Sequence, residues 1–234
     1  METKKGKIFV TGDTHGLQDY HKLHIFAGEH PELTKDDYVI IAGDFGAVWD
    51  SRTLVADLKP FTELPFTVLF VDGNHENFDL INTCPVKEWH GGKVHQIRPN
   101  IFHLMRGQVF EIEGKTIFTF GGATSVDKFM RREGISWWPQ ELPTYEELDE
   151  GFANLKRYGN KVDFIITHSC GQRALMYPKL RIAAGIKTAC PESHMLSNFE
   201  DIVEFKHWYF GHFHIDAQLS DKYTVLYQDV VEIK

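Results

Sequence analysis

Six apolar runs of strand length, KIFVTGD, YVIIAGD, FTVLFVDGN, TIFTFGGA, DFIITHS and HWYFGH, each end in a small or polar cluster, and this repetition constrains the chain most. Near-continuous hydrophobicity marks strands buried on both faces. Between the early runs lie stretches of helical length: Leu17 to His30, Arg52 to Leu64 and a short one after Asn77. Strand alternating with helix predicts an α/β fold. From Lys87 to Phe120, and again from His207 to Ile233, the pattern changes to short alternating strands broken by Gly and Asn. A second, more antiparallel sheet is expected there. Without internal repeats or a low-complexity linker, a single domain over residues 1–234 is expected.

Residues 125–160 break the strand pattern with a polar, aromatic-rich excursion, read as a lid-like insertion. It ends in a helix that Thr144 can cap, with Glu147 at the reciprocal position. The 42% hydrophobic content supplies a real core. A formal net charge of -8 argues against an extended nucleic-acid partner, because backbone affinity needs clustered Lys and Arg. A small phosphorylated substrate stays compatible, since bound cations add local positive charge outside that count. No run has the apolar length of a signal peptide or membrane helix, so a soluble, cytoplasmic protein without membrane contact is expected. Cys84, Cys170 and Cys190 lack CxxC spacing and read as reduced thiols.

Five polar clusters stand where predicted strands end: Gly12-Asp13-Thr14-His15-Gly16, Gly43-Asp44, Gly73-Asn74-His75-Glu76, Thr167-His168-Ser169 and Gly211-His212-Phe213-His214. Ligands of open α/β sheets bind at the carboxyl ends of strands, so these clusters can converge. Asp13 with His15, and His212 with His214, are two residues apart, which in extended backbone aims both side chains to one face. Each cluster alone is as well explained by a cap, a turn or a surface histidine; the ordered set is not. Oxygen and imidazole donors without a placed cysteine suit Mn, Fe, Zn, Co or Ni better than Mg or Ca. Two divalent ions against Asp13 and Asp44 leave a formal surplus of about two positive charges, which attracts a phosphoryl group.

The ordered set GDTHG, GD, GNHE, THS and GHFH resembles the calcineurin-like metallophosphoesterase superfamily, in the manner of its small bacterial and phage-type members. The resemblance implies a four-layer α/β/β/α sandwich of two mixed sheets and a dinuclear centre, Mn or Fe first among the candidates. It implies that Asp44 bridges the two ions, with Asp13, His15 and His214 at one and Asn74, His168 and His212 at the other. A metal-bridging hydroxide attacking phosphorus, with Asp44 and His75 as catalytic residues, is the implied mechanism. The resemblance assigns His75, next to Asn74, to protonating the leaving oxygen or steadying transition-state charge.

The expected activity is that of a phosphodiesterase or phosphatase on a nucleotide or other small phosphoester. The serine/threonine protein phosphatase branch continues its second motif as GDxVDRG, whereas this chain reads GDFGAVWD, and Arg52 reads as an exposed helix-start residue. A non-catalytic scaffold of the same fold predicts eroded ligands, and none is eroded. Within the excursion, Lys128, Arg131 and Arg132 are candidates to meet substrate phosphate, and Trp137 or Trp138 to stack on a base. The competing reading makes the tryptophans loop anchors and the basic run a solvated face. His21 and His24 read as surface helix residues, and Cys170 as packing near His168.

Overall fold

The computed structural model describes residues 5–185 and 190–234. Strand β1 (Ile8–Thr11), helix α1 (His21–Glu29), β2 (Tyr38–Ile41), α2 (Leu54–Glu63), β3 (Thr67–Phe70) and the short α3 (Phe78–Ile81) follow the alternation of the sequence. The three strands pair in parallel, Ile8 opposite Tyr38 and Tyr38 opposite Thr67. Their alternate residues explain the unbroken apolar runs. Ile8, Val10, Ile40 and Leu69 face a second sheet, while Phe9, Val39, Ile41, Val68 and Phe70 pack with Leu23 and Phe26 of α1 and Leu58 and Phe61 of α2. Each such fully buried large side chain contributes about 1.5–3 kcal/mol.

Strands β4 (Val86–Trp89), β5 (Gly92–Arg98), β6 (Ile101–Leu104) and β13 (Val230–Glu232) complete the first sheet, in the order β13-β1-β2-β3-β6-β5-β4. This corrects the expectation that the whole stretch from Lys87 belongs to the second sheet. An antiparallel hairpin satisfies either sheet locally; what decides is that β6 pairs in parallel with β3, Val68 opposite Ile101. The chain changes sheets at Gly107, whose φ of +71° and approach to Gly151 leave no room for a side chain.

The second sheet contains β7 (Gln108–Ile112), β8 (Lys115–Phe120), β9 (Lys161–Thr167), β10 (Glu204–Phe210), β11 (Ala217–Gln218) and β12 (Tyr223–Val225). Its interior pairs, β8 with β9, β9 with β10 and β10 with β12, are all parallel, so it is mixed rather than mainly antiparallel. Parallel neighbours need crossovers; helices supply those from β8 to β9 and from β9 to β10, and a loop with β11 supplies that from β10 to β12. The amphipathic α4 (Tyr145–Arg157) joins β8 to β9 and buries Leu148, Gly151, Asn154 and Leu155; its first turn carries the Thr144–Glu147 capping box. Residues 125–143 of the excursion hold two short 3-10 turns, and only its second half is this crossover helix. Helices α5 (Gln172–Leu175), α6 (Pro178–Ala184) and α7 (Pro191–Ile202) lie between β9 and β10, and Phe199 of α7 packs on Phe118 and Phe120. Strand β13 (Val230–Glu232) returns antiparallel to β1. Helices thus cover the outer face of each sheet, giving the four layers expected. Among the described residues, no helix is long and apolar enough to cross a membrane.

Candidate metal centre

The loops leaving the carboxyl ends of β1, β2, β3, β9 and β10 carry Asp13 and His15, Asp44, Asn74 and His75, His168, and His212 and His214. Those loops meet between the two sheets. His15, Asp44, His212 and His214 have φ of 44°, 48°, 67° and 52°, left-handed values that cost free energy for residues with a Cβ. Cross-loop bonds over-determine them. Thr14 N–H and His15 N–H donate to Asp44 O (3.1 and 2.8 Å), His75 N–H donates to Asp44 Oδ1 (2.7 Å), and His212 N–H donates to Asp13 Oδ1 (3.0 Å). The glycines of the motifs make room for the donors themselves. A Cβ would lie 2.1 Å from His168 Nδ1 at Gly43, 2.1 Å from Asp44 Oδ1 at Gly73 and 2.3 Å from Asp13 Oδ1 at Gly211.

Asp44 has an imidazole on each oxygen: His15 Nε2 is 3.3 Å from Oδ2, and His168 Nε2 is 3.3 Å from Oδ1. His168 Nε2 is also 3.2 Å from Asn74 Oδ1, while its Nδ1 faces Ala42 O at 2.8 Å. His214 Nε2 lies 3.1 Å from Asp13 Oδ2, a buried oxygen without a hydrogen bond. Donor atoms fall within 4.8 Å of one another in three groups, Asp13 with His15 and His214, His15 with Asp44 and His75, and Asp13 with Asp44 and His168. These groups could hold metal ions. His212 stacks edge-on to His168 at 4.9 Å and lines one cleft with Asp44, Asn74 and His214. All seven expected ligands are therefore brought together, and His75 joins them within ligand range of Asp44.

Burial opposes charge on His15 and His168, yet the Asp44 carboxylate prevails and holds each imidazole up at about 9. Burial alone would likewise raise the Asp44 carboxyl; the charge of His168 and the bonds from both imidazoles hold it well below the usual range. In the metal-free chain, protons on imidazoles thus balance the carboxylate. Neutral imidazole is the ligand form, so these protons leave as a cation enters. Burial pushes His75 below its ordinary value, against the pull of Asp44 and with the help of the Arg131 guanidinium.

Several supporting residues escape a motif reading. Lys22, buried on α1, donates to Gly12 O (2.9 Å), Asp13 O (2.6 Å) and Tyr227 O, and burial lowers it to about 8. Its signal was position: four residues before Phe26, it lies on the apolar stripe of the helix. Glu76 accepts from Phe45 N–H (2.7 Å) and Gly46 N–H (3.1 Å), pinning the loop of Asp44, and burial beside Asp44 raises its carboxyl well above normal. Asp19 fixes His15 through Nδ1 at 2.8 Å and is itself held by Tyr227 Oη at 3.0 Å. Ser125 Oγ donates to Glu141 Oε2 at 2.7 Å and receives Asn74 Nδ2 at 3.3 Å.

Of the candidate substrate contacts, Arg131 reaches the centre. Its Nη1 and Nη2 lie 3.2 and 3.1 Å from Nδ1 and Nε2 of His75, and its Nε pairs with Asp127 at 2.8 Å. Lys128 lies over the Trp137 ring at 5.9 Å, and Arg132 is exposed. Trp138 is the anchor, buried with its N–H on Asp79 Oδ2 (2.8 Å) and edge-to-face with Trp49 at 5.4 Å. Arg52 is exposed and paired with Asp50. His21 and His24 are exposed, and Cys170 is buried in the core behind the second sheet.

The pattern of the calcineurin-like phosphoesterases matches residues 6–216. A lariat debranching enzyme of Schizosaccharomyces pombe is 25% identical over 180 residues, covering 69% of this chain and 36% of the relative. One from Drosophila pseudoobscura pseudoobscura is 24% identical over 241 residues, covering 89% and 42%. The chain thus spans less than half the length of the curated relatives it matches. A Staphylococcus aureus structure with a provisional 5′-nucleotidase designation shares the fold at TM-score 0.51 and 14% identity, over 96% of this chain and 49% of its own. With the family's pattern matched along most of its length, the chain belongs to the calcineurin-like phosphoesterase family.

Proposed function

We propose that this chain is a dinuclear metal-dependent hydrolase of small phosphoesters, a phosphodiesterase or phosphatase acting on a nucleotide or comparable ester. The observation that carries it is Asp44, one buried carboxylate with a separate imidazole on each oxygen, as a ligand shared by two cations requires. Asp13, His15 and His214 would hold one ion beside Asp44, and Asn74, His168 and His212 the other. Such ions, Mn or Fe first by the family resemblance and Zn, Co or Ni equally suited to the mixed donors, would supply Lewis acidity at the phosphoryl oxygens and an acidified water nucleophile. The protein's own groups do the rest. Arg131 points a fixed cation into the cleft of about 110 Å³ that Asp44, Asn74 and His214 share, where it would grip a phosphate oxygen. His75, within ligand range of Asp44 and with its ring nitrogens against Arg131, would hand a proton to the departing oxygen or steady the charge that develops there.

Protein loaded with Mn should hydrolyse bis-p-nitrophenyl phosphate or p-nitrophenyl phosphate, the faster of the two separating diesterase from phosphatase. A lariat substrate forms a third arm, because two relatives carry that activity in their names. His75→Ala should keep its metal content and lose about a hundredfold in kcat. Wild-type turnover in that variant removes the role given to His75, and no turnover of any ester under any metal sinks the assignment.

A further inference from the structure

His75 is a wall shared by two clefts. On one side lies the small cleft of the metal ligands and Arg131. On the other opens a cleft of about 290 Å³ lined by His15, Gln18, Gly46, Trp49 and His75. That volume is near the lower end for small-molecule pockets, roughly 300 Å³. Its floor is made by the β1 and β2 loops pressed together at Gly16 and Gly46, whose φ of 63° and 66° allow Gly16 N–H to reach Phe45 O at 2.8 Å. No Lys or Arg is among its lining residues, so nothing in it matches a second phosphate or an acidic peptide. What it offers is a half-buried indole and the uncommitted amide of exposed Gln18.

The indole is held in place from behind. Trp138 packs edge-to-face on Trp49 at 86° and is itself tied to Asp79, while Asn77 Nδ2 donates to Trp49 O at 2.7 Å. Fixing an aromatic ring beforehand lowers the entropic cost of stacking on it. Resting on the hydrolase reading above, we propose that the Trp49 cleft is the subsite for the leaving group, and that it takes a planar aromatic one, the nucleoside of a nucleotide ester. The position follows from the reaction. Water oxygen bonds to phosphorus in the metal-ligand cleft, the bond from phosphorus to the ester oxygen breaks on the opposite side, and the proton that the water loses balances the one that the ester oxygen takes up. The group carried by the ester oxygen then lies beyond His75, where Trp49 stands. Gln18 supplies donor and acceptor to a base edge.

Two measurements test this. Adenosine titrated into metal-free protein should quench tryptophan fluorescence saturably, with affinity at least tenfold weaker in Trp49→Ala and within about threefold of wild type in Trp49→Phe, the range expected of base stacking. In Mn-loaded protein, Trp49→Ala should lower the kcat/KM ratio of a nucleotide ester to an alkyl phosphate ester about tenfold, chiefly through KM. Absence of adenosine binding, or an equal loss on both esters, overturns the subsite while leaving hydrolysis intact. Adenosine binding through Trp49 in a protein that cleaves no ester instead overturns the hydrolase reading and the leaving-group role with it.

Discussion

Asp44 and Asp72 follow neighbouring parallel strands of the first sheet, β2 and β3, and both are buried to within 1% of full. They are balanced in opposite ways. Asp72 has its cation inside the chain: Arg106 Nε bonds Oδ2 at 2.9 Å, a second guanidinium nitrogen reaches the same oxygen, and His103 Nε2 lies 3.1 Å from Oδ1. Burial would raise its carboxyl, but Arg106 holds it well below the carboxylate range. Arg106 continues to Glu147 of α4 (2.9 Å) and Gln140 O (2.7 Å), so one guanidinium joins both sheets to the excursion. Among the described residues, Asp44 meets only imidazoles and backbone N–H groups. An arginine cannot release its proton, whereas an imidazole can. The difference teaches what each carboxylate is for: Asp72 is closed by a permanent partner, and Asp44 keeps partners that step aside for a cation.

The sharpest test exchanges the two. Asp44→Asn should lose at least about a thousandfold in kcat, ~4 kcal/mol of barrier, and fail to retain two ions by elemental analysis. Its metal-free form should melt near wild type, because stranded imidazoles shed protons rather than remain as buried charges. Arg106→Met should do the reverse, leaving Asp72 uncompensated at a cost of about 3–5 kcal/mol, some ten degrees in Tm for a chain of this size. Adding Asp72→Leu to it should recover most of that loss by replacing charge with packing. If Asp44→Asn unfolds the protein, or Arg106→Met melts normally, the two carboxylates do not differ in kind.

Much of Asp44's surroundings was legible beforehand, and little of Asp72's. The expected ligands Asp13, His15, Asp44, Asn74, His168, His212 and His214 announce themselves because each follows an apolar run at a strand end, where topology alone gathers them. The FVDGN run contains Asp72 just as visibly, but its meaning rests on Arg106, 34 residues away at the crossing between sheets. Long-range pairing likewise decides the sheet of the β4–β5 hairpin, through β6 beside β3, and the hairpin's own residues carry no sign of it. Lys22 and Glu76 sit within familiar segments, yet their partners are backbone groups, which carry no residue-type signal. The start of α1 at His21 rather than Leu17 has the same origin. Residues 15–19 are turned back by the bond from Asp19 to His15.

A smaller effect probes the far end of the Asp72 network. His95 stacks on His103 with Nδ1 atoms 3.0 Å apart, and burial, with His103 beside it, lowers its imidazole to about 4. The unfolded chain takes that proton near 6.5, so between those values it binds more protons than the folded chain and stability falls as pH drops. Denaturant melts at pH 7 and pH 5 should show a loss of about 2 kcal/mol from this residue. His95→Gln, which keeps a hydrogen-bonding partner for His103, should flatten it. An unchanged slope removes His95 from the acid sensitivity.

The smallest effect belongs to the Asp44 side and asks whether its supports act on metal affinity rather than stability. Glu141 accepts from Ser125 N–H at 2.9 Å and from Ser125 Oγ at 2.7 Å, so the hydroxyl proton is committed to the carboxylate. The remaining lone pairs of Ser125 can only accept, which turns the Asn74 amide nitrogen toward them and its oxygen toward His168 and the cation position. Ser125→Ala frees the amide to rotate. Its affinity for the more weakly held Mn ion should fall about tenfold, as expected of an outer partner of a metal ligand, with Tm nearly unchanged. Calorimetric titration reads the first and a thermal melt the second. Unaltered affinity would mean that the β3 loop alone aims Asn74, and a large drop in Tm would place Ser125 with Asp72 among the residues that hold the fold.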